Sequence, residues 1–165
     1  MELIKEICLE NDVVCNHYKI RKAARSIAFN SEGKIPLLNV SKENYHKLAG
    51  GGIEQGEDII TALKRELLEE VGANIGELEE IGVIVEYRNK HELLQFSYYY
   101  KSKIIGNLIK TSFTQEEKNN GFMLEWKTLD EAIALLENDK PMDYDGKYIV
   151  ERDLTFLQHF KKYYI

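Results

Sequence analysis

The sequence predicts an α+β fold, a mixed β-sheet sandwiched by helices, on three observations. β-rich segments lie on both sides of one strongly patterned helix, two more segments of helical periodicity close the chain, and no repeat or low-complexity tract divides it. Residues 1–165 therefore read as one domain, long enough to bury a core.

In chain order, Leu3 to Leu9 and Ala23 to Phe29 read as strands. Asn30-Ser31-Glu32-Gly33 is a turn signal that leads into a third strand, Ile35 to Val40, where Pro36 suits an edge or a strand start. Asp58 to Val71 reads as a helix, with Ile60, Leu63, Leu67 and Val71 as its core-facing stripe. Ile81 to Tyr87 and Leu93 to Tyr100 are β-rich and pair as a hairpin across Arg88-Asn89-Lys90-His91. Leu129 to Leu136 and Lys147 to Tyr163 have helical periodicity, with Pro141 and Gly146 marking the loop between them.

The functional signal lies in GGIEQGEDIITALKRELLEEVG, Gly51 to Gly72. At about 100° per residue, Glu66, Glu69 and Glu70 fall within an arc of roughly 100°, beside the apolar stripe. Like charges on adjacent turns repel, and a hard dication relieves that repulsion. Oxygen ligands without a nearby His or Cys suit Mg²⁺ or Mn²⁺ rather than zinc. A solvated acidic face is the plainer reading of any Glu-rich helix. The flanking residues tip the balance: Gly50, Gly51 and Gly52 let the backbone approach a ligand closely, and seven specified positions match by chance about once in a billion start sites.

Gly51, Glu57 and the run Arg65-Glu66-Leu67-Leu68-Glu69-Glu70-Val71-Gly72-Ala73 resemble the Nudix box at every fixed position. Ala73 is smaller than the usual closing aliphatic, and Ala49 stands where proline is frequent. The box spans residues 51–73. This resemblance implies a Nudix-type α/β/α sandwich that hydrolyses a nucleoside diphosphate linked to another moiety, with water attacking phosphorus and Mg²⁺ (or Mn²⁺) required. It also implies roles. Glu66, Glu69 and Glu70 ligate metal with the Gly50 carbonyl, and Glu66 is the carboxylate best suited to take a proton from water. Arg65 stands behind them and holds a glutamate in its reactive rotamer, with Glu57 as its partner; first-turn stabilisation by the helix dipole explains Glu57 equally well. Gly51 and Gly72 are structural. Family members recruit a further acid, for which Glu116, Glu117 and Glu125 are candidates and Glu117 is preferred. Polar loop residues of this kind are more often simply solvated.

Other features bound the partners. A net charge of −6 disfavours duplex nucleic acid, so the expected partner is a small nucleoside diphosphate derivative, while a homodimer is compatible with the sequence. MELIKEICLEND lacks the organisation of a signal peptide, and no apolar run could span a bilayer, so a cytoplasmic protein is expected. Cys8 and Cys15 fit neither a redox nor a zinc spacing and read as unpaired thiols. His46, just ahead of the glycines, reads as a substrate contact or, more commonly for a lone His, a structural group. Tyr87, Phe96, Tyr98, Tyr99 and Tyr100 offer rings for stacking on a base, although strand aromatics are usually core.

Substrate preference follows by exclusion. Only Pro36 and Pro141 occur, so the downstream proline of ADP-ribose hydrolases is absent, and SKENYHKLAGGG lacks the coenzyme A signature. What remains is a MutT-like diphosphatase of a nucleoside triphosphate, oxidised or not, releasing a monophosphate and pyrophosphate, or a hydrolase of another small diphosphate such as a nucleotide sugar. A non-catalytic nucleotide-sensing module would show degenerate box acids, and none is lost. An isopentenyl-diphosphate isomerase would need a cysteine near the site, whereas both cysteines are N-terminal.

Overall fold

The computed structural model describes residues 1–10 and 17–165. Cys8 is a free thiol, and Cys15 lies outside the described residues. Strands β1 (Glu2–Ile7), β2 (Lys19–Phe29), β3 (Ile35–Val40), β4 (Tyr45–Leu48) and β5 (Gly50–Gly52) precede helix α1 (Ile59–Val71). Then come β6 (Asn74–Arg88), β7 (Leu93–Ile105), α2 (Gln115–Asn119), β8 (Phe122–Lys127), α3 (Leu129–Asn138) and α4 (Tyr144–Tyr164).

Five strands form a mixed sheet in the order β1-β6-β7-β2-β5, and β4-β3-β8 form a second sheet. β6 and β7 pair antiparallel across the short turn at Asn89–His91, as the alternating pattern predicts. β2 runs parallel to β7 along its whole length, from Lys19↔Leu93 to Phe29↔Lys103. Because successive strand residues face opposite sides, Ile27 and Tyr99 enter one core with Phe156, Leu157 and Phe160 of α4. Their neighbours Ala24, Ala28 and Tyr100 enter another with Leu63, Leu67 and Val71 of α1. One helix layer thus covers each face, which is the expected α/β/α arrangement.

Differences from the expected elements have local causes. β1 ends at Ile7 rather than Leu9. Gly146 is inside α4 and not in the preceding loop: Asp143 caps that helix, and Gly146 N–H donates to Asp143 Oδ1 at 3.2 Å. Asp58 likewise caps α1 by accepting from Thr61 N–H, so the helix proper starts one residue later. β4, β5, α2 and β8 were not marked by the sequence pattern. The glycine run in particular forms a strand, because β5 pairs antiparallel with Ala23 to Arg25. No helix among the described residues is long and apolar enough to cross a membrane.

Candidate active site

Helix α1 is fixed by burial of Leu63, Leu67 and Val71, and its far end stops at Gly72, whose φ of 72° is the left-handed conformation that caps a helix. This anchoring sets the acids of its other face against the glycine strand. Arg65 is the hub of that face. Its Nε and Nη2 donate to Glu57 Oε1 and Oε2 at 2.9 and 3.0 Å, a two-pronged pair. Nη1 donates to Glu66 at 2.8 Å and more weakly to Glu69 at 3.3 Å, and Nη2 also reaches the Gly52 carbonyl at 3.1 Å. Glu57 precedes the cap residue, so it acts on Arg65 and not as a first-turn acid of the helix, which has none.

Glu70 is enclosed. Lys47 Nζ donates to its Oε1 at 2.9 Å and Gly50 N–H to its Oε2 at 2.7 Å. Burial raises its pKa above the ordinary carboxylate value, and Lys47 and the Gly50 amide oppose that rise. The Gly50 carbonyl accepts from Arg25 Nη1 at 2.7 Å. Gly51 admits the close approach of Glu66: a Cβ there would stand 2.5 Å from the Glu66 carboxylate.

Around these groups lies a cleft of about 240 Å³ lined by Glu66, Glu70 and Glu117, by the three glycines, and by Arg21, Arg25, Lys47, Arg88, Ile149 and Arg152. The structure therefore brings Glu66, Glu70 and Glu117 to one cavity. Glu69 is more exposed, at 43% of its side chain, and is not part of the lining. Glu117 also closes the capping box of α2, accepting from Thr114 N–H at 2.8 Å. Glu116 and Glu125 do not line the cleft; Glu125 binds Asn39 and Lys127 instead. His46 is turned toward Asp139, 2.9 Å from Nδ1.

Among the described residues no aromatic ring lines this cleft, in line with the plainer reading of strand aromatics as core. Tyr99 is buried, stacked on Phe156 with centroids 4.0 Å apart, and donates to Asp153. Tyr100 is core, Tyr87 bonds Glu6, and neither Phe96 nor Tyr98 is part of the lining. The cations were missed by sequence reasoning, although Arg21, Ala23 and Arg25 at every second position of a strand place both guanidiniums on one face.

Among the described residues, no three His, Cys, Asp or Glu side chains stand together closely enough to hold an ion. In this arrangement Arg65 occupies Glu66 and Lys47 occupies Glu70. The donor set nevertheless fits a hard dication: Glu66, Glu70, Glu117 and the Gly50 carbonyl offer only oxygen, and the missing Cβ of Gly51 leaves room for the Glu66 carboxylate against the strand.

Solved structures share this fold. The MutT protein from Bacillus halodurans aligns at a TM-score of 0.55 and 24% identity, covering 79% of this chain and 80% of its own. A NUDIX hydrolase from Nitrosomonas europaea aligns at 0.60 and 17% identity, covering 87% and 91%. Among curated relatives, an RNA pyrophosphohydrolase of Bartonella bacilliformis is 26% identical over 135 residues, 76% of this chain and 74% of that protein. The diphosphoinositol polyphosphate phosphohydrolase 2 of Rattus norvegicus is 29% identical over 127 residues, 74% and 66%. The molecule is thus an enzyme of the class that hydrolyses phosphoric anhydrides. The NUDIX domain pattern matches residues 19–151, and the chain belongs to the NUDIX family, whose members generally use divalent metal ions.

Proposed function

We propose that this enzyme hydrolyses a diphosphate linkage in a small nucleoside diphosphate derivative, with a nucleoside triphosphate as the leading substrate and monophosphate and pyrophosphate as products. The observation that carries the reading is the cleft in which Glu66, Glu70 and Glu117 face Arg21, Arg25 and Lys47 across the glycine strand. A diphosphate needs both signs of charge: cations for its oxygens, and acids to hold a dication and manage a proton.

Glu66, Glu70 and the Gly50 carbonyl would hold Mg²⁺ or Mn²⁺, with Glu69 and Glu117 as further donors, and the bound ion supplies charge neutralisation and a more acidic water. Glu66 takes the proton of the attacking water. The new P–O bond forms as the bond from phosphorus to the bridging oxygen breaks, and the departing phosphate keeps that electron pair. Arg65, locked by Glu57, holds Glu66 in orientation without touching the reacting atoms. Lys47 and Arg25 are placed to meet substrate oxygens once Glu70 and Gly50 turn to a cation.

The test is product analysis across nucleoside triphosphates, oxidised nucleotides, nucleotide sugars and RNA 5′ ends, with Mg²⁺ and with Mn²⁺. Metal-dependent release from at least one compound, reduced by orders of magnitude in Glu70→Gln with the fold intact, is expected. Full activity in that variant removes Glu70 from the machinery, and no release from any compound rejects the function.

A further inference from the structure

The cleft that holds the acids is also lined by Arg21, Arg25 and Arg88 from the sheet and by Ile149 and Arg152 of α4. The register sets Arg21 opposite Gln95 and Gln95 opposite Glu86, while Arg25 pairs with Tyr99, so one face of β2, β7 and β6 carries a polar row. Helix α4 adds Arg152 and Asp153 to it, both fully buried. Arg21 donates to Gln95 at 2.5 Å, and Gln95 donates to Glu86 at 2.8 Å. Arg88 binds Glu86 at 2.7 Å and the half-exposed Asp145 at 2.9 Å. Arg152 binds Asp153 and Tyr99.

Three buried guanidiniums (Arg25, Arg88 and Arg152) and the exposed Arg21 converge on two buried carboxylates, Glu86 and Asp153, with Asp145 pairing Arg88 at the margin and the buried Glu70 taken by Lys47. Two buried nitrogens, Arg25 Nε and Arg152 Nη1, have no hydrogen-bond partner, and Glu86 lies 3.5 Å from the latter. An uncompensated buried ion costs several kcal/mol, and a phosphate monoester brings about two negative charges and three acceptor oxygens. Among the described residues, the side chains lining this cleft are charged or aliphatic and include no aromatic ring.

We propose that this end of the cleft binds a second anionic group of the substrate, a phosphate beyond the scissile diphosphate, so that the enzyme selects on phosphate content more than on base. The proposal rests on the hydrolase reading for its substrate but not for its binding site. It is tested first without metal: orthophosphate and inorganic tripolyphosphate are titrated calorimetrically into the full chain in chelator. Tripolyphosphate is expected to bind, about tenfold more weakly in Arg21→Gln, a change at an exposed position that the fold tolerates, and unchanged in Lys161→Gln on the remote face of α4. Equal binding in wild type and Arg21→Gln, or none at all, overturns the proposal.

The second arm compares Mg²⁺-dependent kcat/KM for adenosine triphosphate against adenosine 5′-diphosphate, and for adenosine 3′-phosphate 5′-diphosphate against adenosine 5′-diphosphate. A preference of about tenfold for the extra phosphate in either pair, erased by Arg21→Gln and larger than the effect of exchanging adenine for guanine, is expected. Hydrolysis without any such preference overturns the inference and leaves the enzyme reading standing. Metal-free binding with no hydrolysis does the reverse.

Discussion

Replacing Lys47 with Met isolates the energetics of the buried acid at the heart of the cleft. The Lys47 side chain is 12% exposed and the Glu70 side chain 2%, and the ammonium lies 2.9 Å from the carboxylate. Removing one member of such a pair typically costs 3 to 5 kcal/mol, about the range for any uncompensated buried charge. Here the folded state has an escape, because Glu70 can bind a proton. With an ordinary value of 4.5, protonation at pH 7 costs about 1.36 kcal/mol for each of 2.5 pH units, roughly 3.4 kcal/mol, and this caps the penalty. Part of that cost is already present in the wild type, whose Glu70 pKa is raised by burial. The expected loss is therefore about 2 to 3 kcal/mol at pH 7 and under about 1 kcal/mol at pH 5.

The sign follows from linkage. A carboxyl whose folded pKa lies above its unfolded one contributes stability below the unfolded value, and that contribution is lost as pH rises through the folded value. Met raises the folded value further, so the variant loses more on the alkaline side. Urea unfolding of wild type and variant at both pH values measures the difference, from which shared titrations cancel. A penalty that is the same at pH 5 and pH 7 would refute the picture of Glu70 as a buried ion sustained by Lys47.

Two other substitutions probe the scaffold. Arg65→Lys keeps the charge but not the planar fork that joins Glu57, Glu66 and Gly52; kcat is expected to fall about 10- to 100-fold with little change in KM or melting temperature, and a loss confined to stability would make Arg65 merely structural. Gly72→Ala places a Cβ against the Ile109 carbonyl at a φ of 72°; a cost of at least about 2 kcal/mol is expected, seen as a melting temperature lower by about 4 to 8 °C, and an unchanged midpoint would contradict the cap.

The acidic helix was legible because its two signals, an apolar stripe and box residues at fixed spacing, are both local. The pairing of β6 with β7 was legible for the same reason, since alternation and a short turn are adjacent in the chain. The triglycine strand was not, because glycine has poor strand propensity and β5 exists only through its partner β2. Gly146 read as a break although Asp143 makes it an ordinary first-turn residue. Nothing in the local pattern marks Arg152 and Asp153 for burial, yet the polar row of the sheet beneath lets both be buried. Local pattern could not reveal that row, because its members come from β2, β6, β7 and α4.

The shared grip of Arg65 has a practical corollary for redesign. Because one guanidinium ties together the loop, the helix and the glycine strand, editing any of those residues disturbs the others, and that wall offers little latitude. On the opposite wall Arg88 is tied in turn to the buried Glu86, whereas Arg21 is exposed and bonds a neutral amide, so it can be exchanged without uncovering a buried charge. Attempts to retarget the enzyme should begin at Arg21 and leave the box untouched.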